Sequence, residues 1–105
     1  MSRRASLQAA LSQLEETVVR GPAESSAAVR AAAARGEGDG LLGAYAKQVN
    51  VAAYRVTSEQ MTALQAAHSD DVIFEVTVAA SFGAAKVRLD AGLAALDAAF
   101  DGETS

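Results

Sequence analysis

Hydrophobic side chains recur at helical spacing from the start of the chain. Within residues 5–20 the apolar positions follow one another at steps of three and four, which predicts an amphipathic helix that ends at Gly21. The apolar stripe of this helix comprises Leu7, Ala10, Leu11, Leu14 and Val18.

The segment after this helix predicts a second one, from Pro22 to Gly36. Proline suits the first turn of a helix because its missing N–H would have no partner there, and Glu24 complements the positive end of the helix dipole. Val29 is the only large apolar residue of the segment. We therefore expect this helix to be weakly held.

Two further helices are predicted before the long apolar segment. One covers residues 40–54 and turns its apolar residues toward a core. The next covers residues 58–67, where Thr57 can cap the backbone N–H three residues on while Gln60 reaches back. The core positions expected in residues 40–54 are Leu41, Leu42, Tyr45, Val49 and either Ala52 or Ala53.

The fifth predicted helix begins after Ser69, whose side chain can cap it. It covers residues 70–99, a length of about 45 Å. Its β-branched residues would also suit a strand, but the length and the alanines that follow favour a helix. Residues 72–89 are apolar on nearly every side, as in a helix surrounded by protein. We expect a long buried C-terminal helix, followed by a flexible tail at residues 100–105.

These elements predict one small all-α domain. An N-terminal helical hairpin, residues 5–36, precedes a glycine-rich connection at residues 37–40, and the remaining helices fill residues 41–99. The segment GEGDG would alternatively be a phosphate-binding loop. However, no strand precedes it and it lacks the Gly-Lys-Ser/Thr ending, so a flexible connection is favoured.

The alanine content limits the core. Twenty-six of the 105 residues are alanine, which favours helices but contributes little buried area per residue. A chain of this length buries only about 60–70% of the surface that its unfolded form exposes. Such a chain gains from pairing with copies of itself, so we expect a homo-oligomer.

The net charge is −4 and is unevenly distributed. Residues 1–56 carry seven Lys/Arg and five Asp/Glu, whereas residues 57–105 carry two and eight. Nucleic acid is not an expected partner, because phosphate binding needs a basic face. The asymmetry would help copies or a protein partner to dock, or it reflects two differently solvated faces.

The chain contains no cysteine, which excludes a disulfide, a thiolate nucleophile and a Cys-ligated metal. The start, SRRASL, is similar to a twin-arginine export signal, but polar residues interrupt the apolar stretch that such a signal needs. The longest apolar run has about 14 residues, short of the roughly 20 that a membrane span requires. We expect a cytoplasmic protein without a membrane segment, a cofactor or a metal.

Residues 42–96 carry a recognisable pattern. A Val-Thr-x-acid segment and a Ser-acid segment lead into a long, alanine-rich helix with an internal glutamate and an Arg-Leu near its end. The matching residues are Val56, Thr57, Glu59, Leu64, Ser69, Asp70, Asp71, Ile73, Glu75, Arg88, Leu89 and Leu93. The pattern resembles the second half of the alkylhydroperoxidase D-like, or carboxymuconolactone decarboxylase-like, family.

This resemblance implies an all-α fold whose subunits interlock into dimers, trimers or hexamers. The redox members of the family carry a Cys-x-x-Cys with a nearby histidine and reduce peroxides through a thiol–disulfide cycle. No cysteine of this chain maps onto that motif. Thiol peroxidase activity therefore cannot be carried over, and no residue matches the polar set of the decarboxylases.

Glu75 is the sharpest candidate for chemistry. A carboxylate among Phe74, Val76 and Val78 would have its pKa raised by desolvation and could act as a general base. Alternatively, Glu75 belongs to an exposed or subunit-facing polar stripe and pairs with a basic side chain such as Lys86. The structural role is the favoured interpretation.

His68 and Tyr54 are the other candidates for a catalytic role. His68 would do acid–base work, or bind a metal with the adjacent aspartates, unless it simply caps a helix. Tyr54 would line a pocket that faces Glu75, or it packs in the core or an interface. A separate anion-binding pair is Lys86 and Arg88, which otherwise pair with acids such as Asp90.

Three functions follow from this chemistry. The favoured one is a non-redox helical oligomerisation or binding protein. The second is a small-molecule lyase, isomerase or hydrolase that uses Glu75 at a subunit interface. The third is an accessory subunit of a larger complex.

Overall fold

A computed structural model of the protein describes residues 3–104, and the side chains of residues 5–100. Every regular element in that range is helical. In chain order these are α1 (Arg3–Glu15) with a π-helical turn (Glu16–Arg20), α2 (Ala27–Ala34), α3 (Gly40–Ala52) with a 3-10 turn (Ala53–Arg55), α4 (Ser58–Ala67) and α5 (Asp70–Thr104). The predicted all-α class is confirmed.

Local capping chemistry sets several helix starts where the sequence predicts them. The Thr57 hydroxyl accepts a hydrogen bond from the Gln60 backbone N–H at 3.1 Å, and α4 begins at the next residue. The Ser69 hydroxyl accepts from the Val72 N–H at 3.2 Å at the start of α5. Both caps satisfy an N–H that has no partner within the helix.

Two predicted boundaries are wrong. The second helix begins at Ala27 rather than at Pro22, because the Ser26 hydroxyl accepts from the Val29 N–H and caps the helix there. Residues 21–26, which include Pro22, form an irregular segment that we call the α1–α2 loop. At the other end, α5 continues through Thr104, five residues beyond the predicted end at residue 99; the flexibility of the tail stays a prediction, and Ser105 lies outside the described residues.

The core lies where α2, α3 and α4 pack on the first half of α5. Leu64 and Val76 are its largest fully buried side chains. The Tyr45 hydroxyl is within 2.7 Å of the Thr77 hydroxyl, which itself donates to the Ile73 carbonyl, so this buried phenol is satisfied. The buried cluster comprises Ala33, Tyr45, Ala46, Val49, Leu64, Ile73, Val76, Ala79 and Ala80.

The closest helix contact joins α2 and α5. A Cβ placed on Gly83 would lie 1.8 Å from the Ala34 carbonyl oxygen, so only glycine fits. The Asn50 side chain bridges the same contact, since its amide donates to the carbonyls of Ala34 and Ala80 at 3.3 and 3.2 Å. Small residues thus let α2 pack closely against α3 and α5, although the sequence predicts that this helix is weakly held.

The second half of α5 extends away from the core. The molecule measures 58 × 29 × 18 Å, and its radius of gyration is 16.4 Å where a compact chain of this length would have about 13 Å. Beyond Gly83, α5 has no buried residue among those whose side chains are described. The expected long buried helix is therefore buried on one face of its first half only, and Val87 and Leu96 are exposed.

The glycine-rich segment between α2 and α3 is a tight connection. Gly36, Gly38 and Gly40 all have positive φ, a conformation that other residues rarely adopt. The connection turns the chain back on itself so that α3 can pack beside α2.

Candidate functional site

Glu75 lies on the side of α5 that faces the α1–α2 loop. Its Oε1 accepts hydrogen bonds from the Ser25 backbone N–H at 2.8 Å and from the Ser25 hydroxyl at 2.6 Å. Its Oε2 accepts from the Glu24 backbone N–H at 3.1 Å. The carboxylate thus holds a segment fifty residues earlier in the chain.

These contacts favour the ionised form of Glu75. The Ser25 hydroxyl and the Ser25 amide lower the pKa of the carboxyl, with smaller contributions from the Glu24 amide and the positive charge of Arg30, while desolvation opposes them. The pKa therefore lies below its ordinary value. The expected rise in pKa is wrong, because polar partners that the local sequence does not contain outweigh the apolar neighbours of Glu75.

Arg30 complements Glu75 at the other end of the loop. Its side chain is almost fully buried, at 3% exposure, and donates to the carbonyls of Val18 at 3.0 Å and Gly21 at 2.7 Å. A longer bond of 3.4 Å reaches the Ser25 carbonyl, and Nε has no partner. A guanidinium is favourable here because the carbonyls at the end of a helix carry partial negative charge.

The polar network continues to the junction of α4 and α5. The carboxylate of Glu24 accepts a hydrogen bond from the Ser69 hydroxyl at 3.0 Å, the same hydroxyl that caps α5. The α1–α2 loop is consequently fixed at its start by Arg30, in its middle by Glu75 and through Glu24 by Ser69. We call these contacts the loop clamp.

Arg30 is a member of this site that was not among the residues predicted from the sequence. The available signal was its position as the one charged residue within the alanine-rich α2, three residues before the buried Ala33. A charged residue on the apolar side of a short helix points to a buried partner. The identity of that partner, a set of backbone carbonyls, could not be read from side chains.

A shallow cleft lies beside Glu75 and Arg30. It has a volume of about 200 Å³, below the roughly 300–1,000 Å³ that small-molecule pockets occupy. The other residues that line it are Thr17, Val18, Pro22, Ala23, Phe74 and Val78. With both Glu75 oxygens already hydrogen-bonded and its pKa lowered, the arrangement is suited to holding the loop rather than to taking a proton from a substrate.

The structure does not bring the three catalytic candidates together. Tyr54 is 84% exposed, and the Arg55 guanidinium lies 5.7 Å from the centre of its ring. His68 ends α4, and its backbone N–H donates to the Leu64 carbonyl at 2.8 Å. Neither residue lines the cleft beside Glu75.

The proposed anion-binding pair is also not assembled. The Lys86 ammonium lies 3.5 Å from the Glu15 carboxylate and 4.0 Å from that of Asp90, so it is engaged with acids. Arg88 lies two residues later, which turns it about 200° around the helix. It does not line the cleft of about 300 Å³ that Lys86 lines with Glu15 and Asp90.

An apolar cleft of about 280 Å³ lies between α2 and α3. Val29, Leu42 and Ala46 are among the residues that line it, together with Glu37 and Asp39.

Among the described residues no three His, Asp or Glu side chains are grouped so that they could hold a metal ion. Within that same part of the chain, no helix combines the length and hydrophobicity needed to cross a membrane.

Comparison with known proteins adds no relative. No family model matches the chain, and neither a curated protein nor a solved structure is significantly similar to it. The relation to the alkylhydroperoxidase D-like family therefore stays a prediction from the residues of the α4–α5 hairpin.

Proposed function

We propose that the protein is a helical oligomerisation and binding module that works as a homo-oligomer and performs no thiol-based peroxide reduction. The alkylhydroperoxidase D-like fold belongs to the same proposal. Its support is the α4–α5 hairpin, where Thr57 and Ser69 of the matched pattern cap the two helices.

The observation that carries the proposal is the surface area of one chain. The accessible surface is 6791 Å² for a mass of 10.7 kDa. A compact monomer of this mass would expose about 5,500 Å². The excess of roughly 1,300 Å² is larger than the roughly 800 Å² that each partner contributes to a standard protein interface.

The excess surface includes large apolar side chains. Phe74 and Leu96, which both belong to α5, are 68% and 52% exposed. Burying apolar area stabilises a complex by about 25 cal/mol per Å². An association that covers these side chains would supply the core that the alanine-rich chain lacks.

The loop clamp has a supporting role in this proposal. Glu75 and Arg30 fix the α1–α2 loop and so set the direction in which α1 leaves the core. A fixed orientation lowers the entropy lost when two copies associate. The glutamate is accordingly a positioning residue within the subunit.

The proposal is tested by measuring the molar mass of the purified protein. Size-exclusion chromatography with light scattering, over a concentration series from low to high micromolar, is expected to show a mass at least twice 10.7 kDa at the upper end. A well-folded monomer at every concentration, with a helical circular dichroism spectrum, contradicts it.

A further inference from the structure

The side of α5 that points away from α2 and α3 is a continuous apolar face. We call it the outer face of α5. Its positions follow at steps of three and four residues, so they stay on one side of the helix over about 39 Å from first to last. They are Phe74, Val78, Ser81, Ala85, Leu89, Gly92, Leu96 and Phe100.

Most of this face is exposed in the single chain, whereas Val78 and Leu89 are half-buried. Phe74 and Leu96 are 68% and 52% exposed, and the smaller residues Ser81, Ala85 and Gly92 are also exposed. No charged residue occupies it between positions 74 and 100; Arg88 stands at its margin. An apolar stripe of this length is typical of an interface.

We propose that the outer face of α5 pairs with the same face of a second copy, with the two helices antiparallel and a two-fold axis at the level of residue 87. The inference rests on the proposed self-association and adds the surface and the symmetry. A two-fold interface must be complementary to itself, because the same patch occurs on both sides.

The order of large and small residues meets that requirement. A two-fold rotation at the level of residue 87 places Val78 of one copy opposite Leu96 of the other, since each lies nine positions from residue 87. Ala85 then falls opposite Leu89, a small residue against a large one. The same operation places Phe74 opposite Phe100.

The small residues allow the two helices to approach closely. A Cβ added at Gly92 would meet nothing within 4 Å, so the space above it is open to a partner. Small side chains at a helix contact let backbones come nearer than the usual 8–10 Å. A parallel arrangement would instead place each residue at the level of its own copy, Phe74 against Phe74 and Gly92 against Gly92.

The main packing side of α5 lies opposite the outer face, and residues 17–23 border that face only at its start, beside Phe74 and Val78. α5 packs on α2, α3 and α4 through Val76, Ala79, Ala80 and Gly83, which lie on the opposite side of the helix. Two copies joined by their outer faces therefore carry their cores on the two far sides of the pair. The roughly 1,300 Å² of excess surface per chain accommodates an interface of standard size.

Cysteine placement tests the geometry, because the native chain has no cysteine that would interfere. In the antiparallel pair, position 81 of one copy lies at nearly the same height as position 92 of the other. Positions 81 and 81 are roughly 18 Å apart along the helix and positions 92 and 92 roughly 15 Å, beyond the reach of a disulfide. The double variant Ser81→Cys/Gly92→Cys is thus expected to form covalent dimers on mild oxidation or with a short bismaleimide, while each single variant does not.

A matched pair of charge substitutions tests the surface. Leu96→Glu introduces a carboxylate on the outer face, whereas Leu41→Glu makes the same change on α3 at nearly the same exposure, 53%. Light scattering is expected to show at least a tenfold weaker association for Leu96→Glu and an unchanged one for Leu41→Glu. Both variants should keep the native helical spectrum.

The outcomes separate the two proposals. If the native chain is a monomer throughout, self-association itself is wrong. If the native chain associates but Leu96→Glu associates equally well, another surface is used and the outer-face pairing is overturned. Covalent dimers from either single cysteine variant would instead show a parallel arrangement or an antiparallel one with a different axis, and would overturn the two-fold axis at residue 87.

Discussion

Replacing Gly83 by alanine is expected to weaken the fold more than a single methyl group usually does. The added Cβ would lie 1.8 Å from the Ala34 oxygen and 2.5 Å from its carbonyl carbon. Both atoms belong to the backbone of α2, so no side chain can move aside. The two helices must separate by about 1.5 Å to restore ordinary contact distances.

The magnitude follows from three contributions. Overpacking of this kind costs about 1–3 kcal/mol, and separating the helices also weakens the Asn50 bridge, worth about 1 kcal/mol. Alanine recovers about 1 kcal/mol through its better helix propensity. The net loss is about 2 kcal/mol, which would lower Tm by roughly 10 °C for a domain of this size.

Urea unfolding followed by circular dichroism measures this loss as a lower midpoint at an unchanged slope. Gly92→Ala is the control, since it makes the same exchange in the same helix with nothing within 4 Å. It is expected to gain up to about 1 kcal/mol. Both are measured at one low protein concentration so that association contributes little. A Gly83→Ala variant as stable as the native protein would refute the close crossing of α2 and α5.

Three further changes address the loop clamp and the proposed dimer. Glu75→Gln should lower the stability at neutral pH and reduce the loss of stability on acidification. The pKa of Glu75 is lowered in the folded state, so its contribution to folding stability is present above the ordinary glutamate pKa range and is lost as the pH falls through the folded-state pKa. Urea midpoints measured across this pH range would contradict the prediction if they fell equally in both proteins on acidification. Arg30→Met should cost about 1.5–3 kcal/mol because it leaves buried carbonyls without a donor, whereas the exposed Arg35→Met should change stability by less than about 0.5 kcal/mol. Equal unfolding midpoints for those two variants would exclude a stabilising role for the buried guanidinium. Arg88→Ala should tighten the dimer a few-fold, since the antiparallel pair brings the two Arg88 side chains to the same side of the interface near the two-fold axis, and added salt should tighten the native dimer in the same way. Sedimentation at two ionic strengths checks this, and weaker association of Arg88→Ala would argue against that placement.

The features that the sequence predicts well depend on neighbours along the chain. Thr57 and Ser69 cap α4 and α5 because an N-cap bonds to a backbone N–H only two or three residues away. Local chemistry does not settle the start of α2. Pro22 and Ser26 both suit a helix start, and Arg30, which donates to the Gly21 carbonyl, holds residues 21–26 outside the helix.

The candidate site depends on contacts that neighbours along the chain do not predict. Phe74 and Val76 beside Glu75 indicate an apolar environment and a raised pKa. Ser25, which reverses that direction, is fifty residues away in sequence and enters only through the packing of α2 on α5. Tyr54 and His68 have the chemistry of a site, but folding places them elsewhere on the molecule.

The number of helices, most of their ends and the absence of thiol chemistry follow from the sequence, because spacing, caps and composition are properties of short segments. Which face of α5 is covered depends instead on contacts between distant segments. Residues 72–89 are apolar on nearly every side, so the helical period does not distinguish the side that packs on α2 and α3 from the outer face. That choice depends on Gly83 meeting the backbone of Ala34, a contact between distant segments, and it leaves Phe74 and Leu96 exposed on the other side.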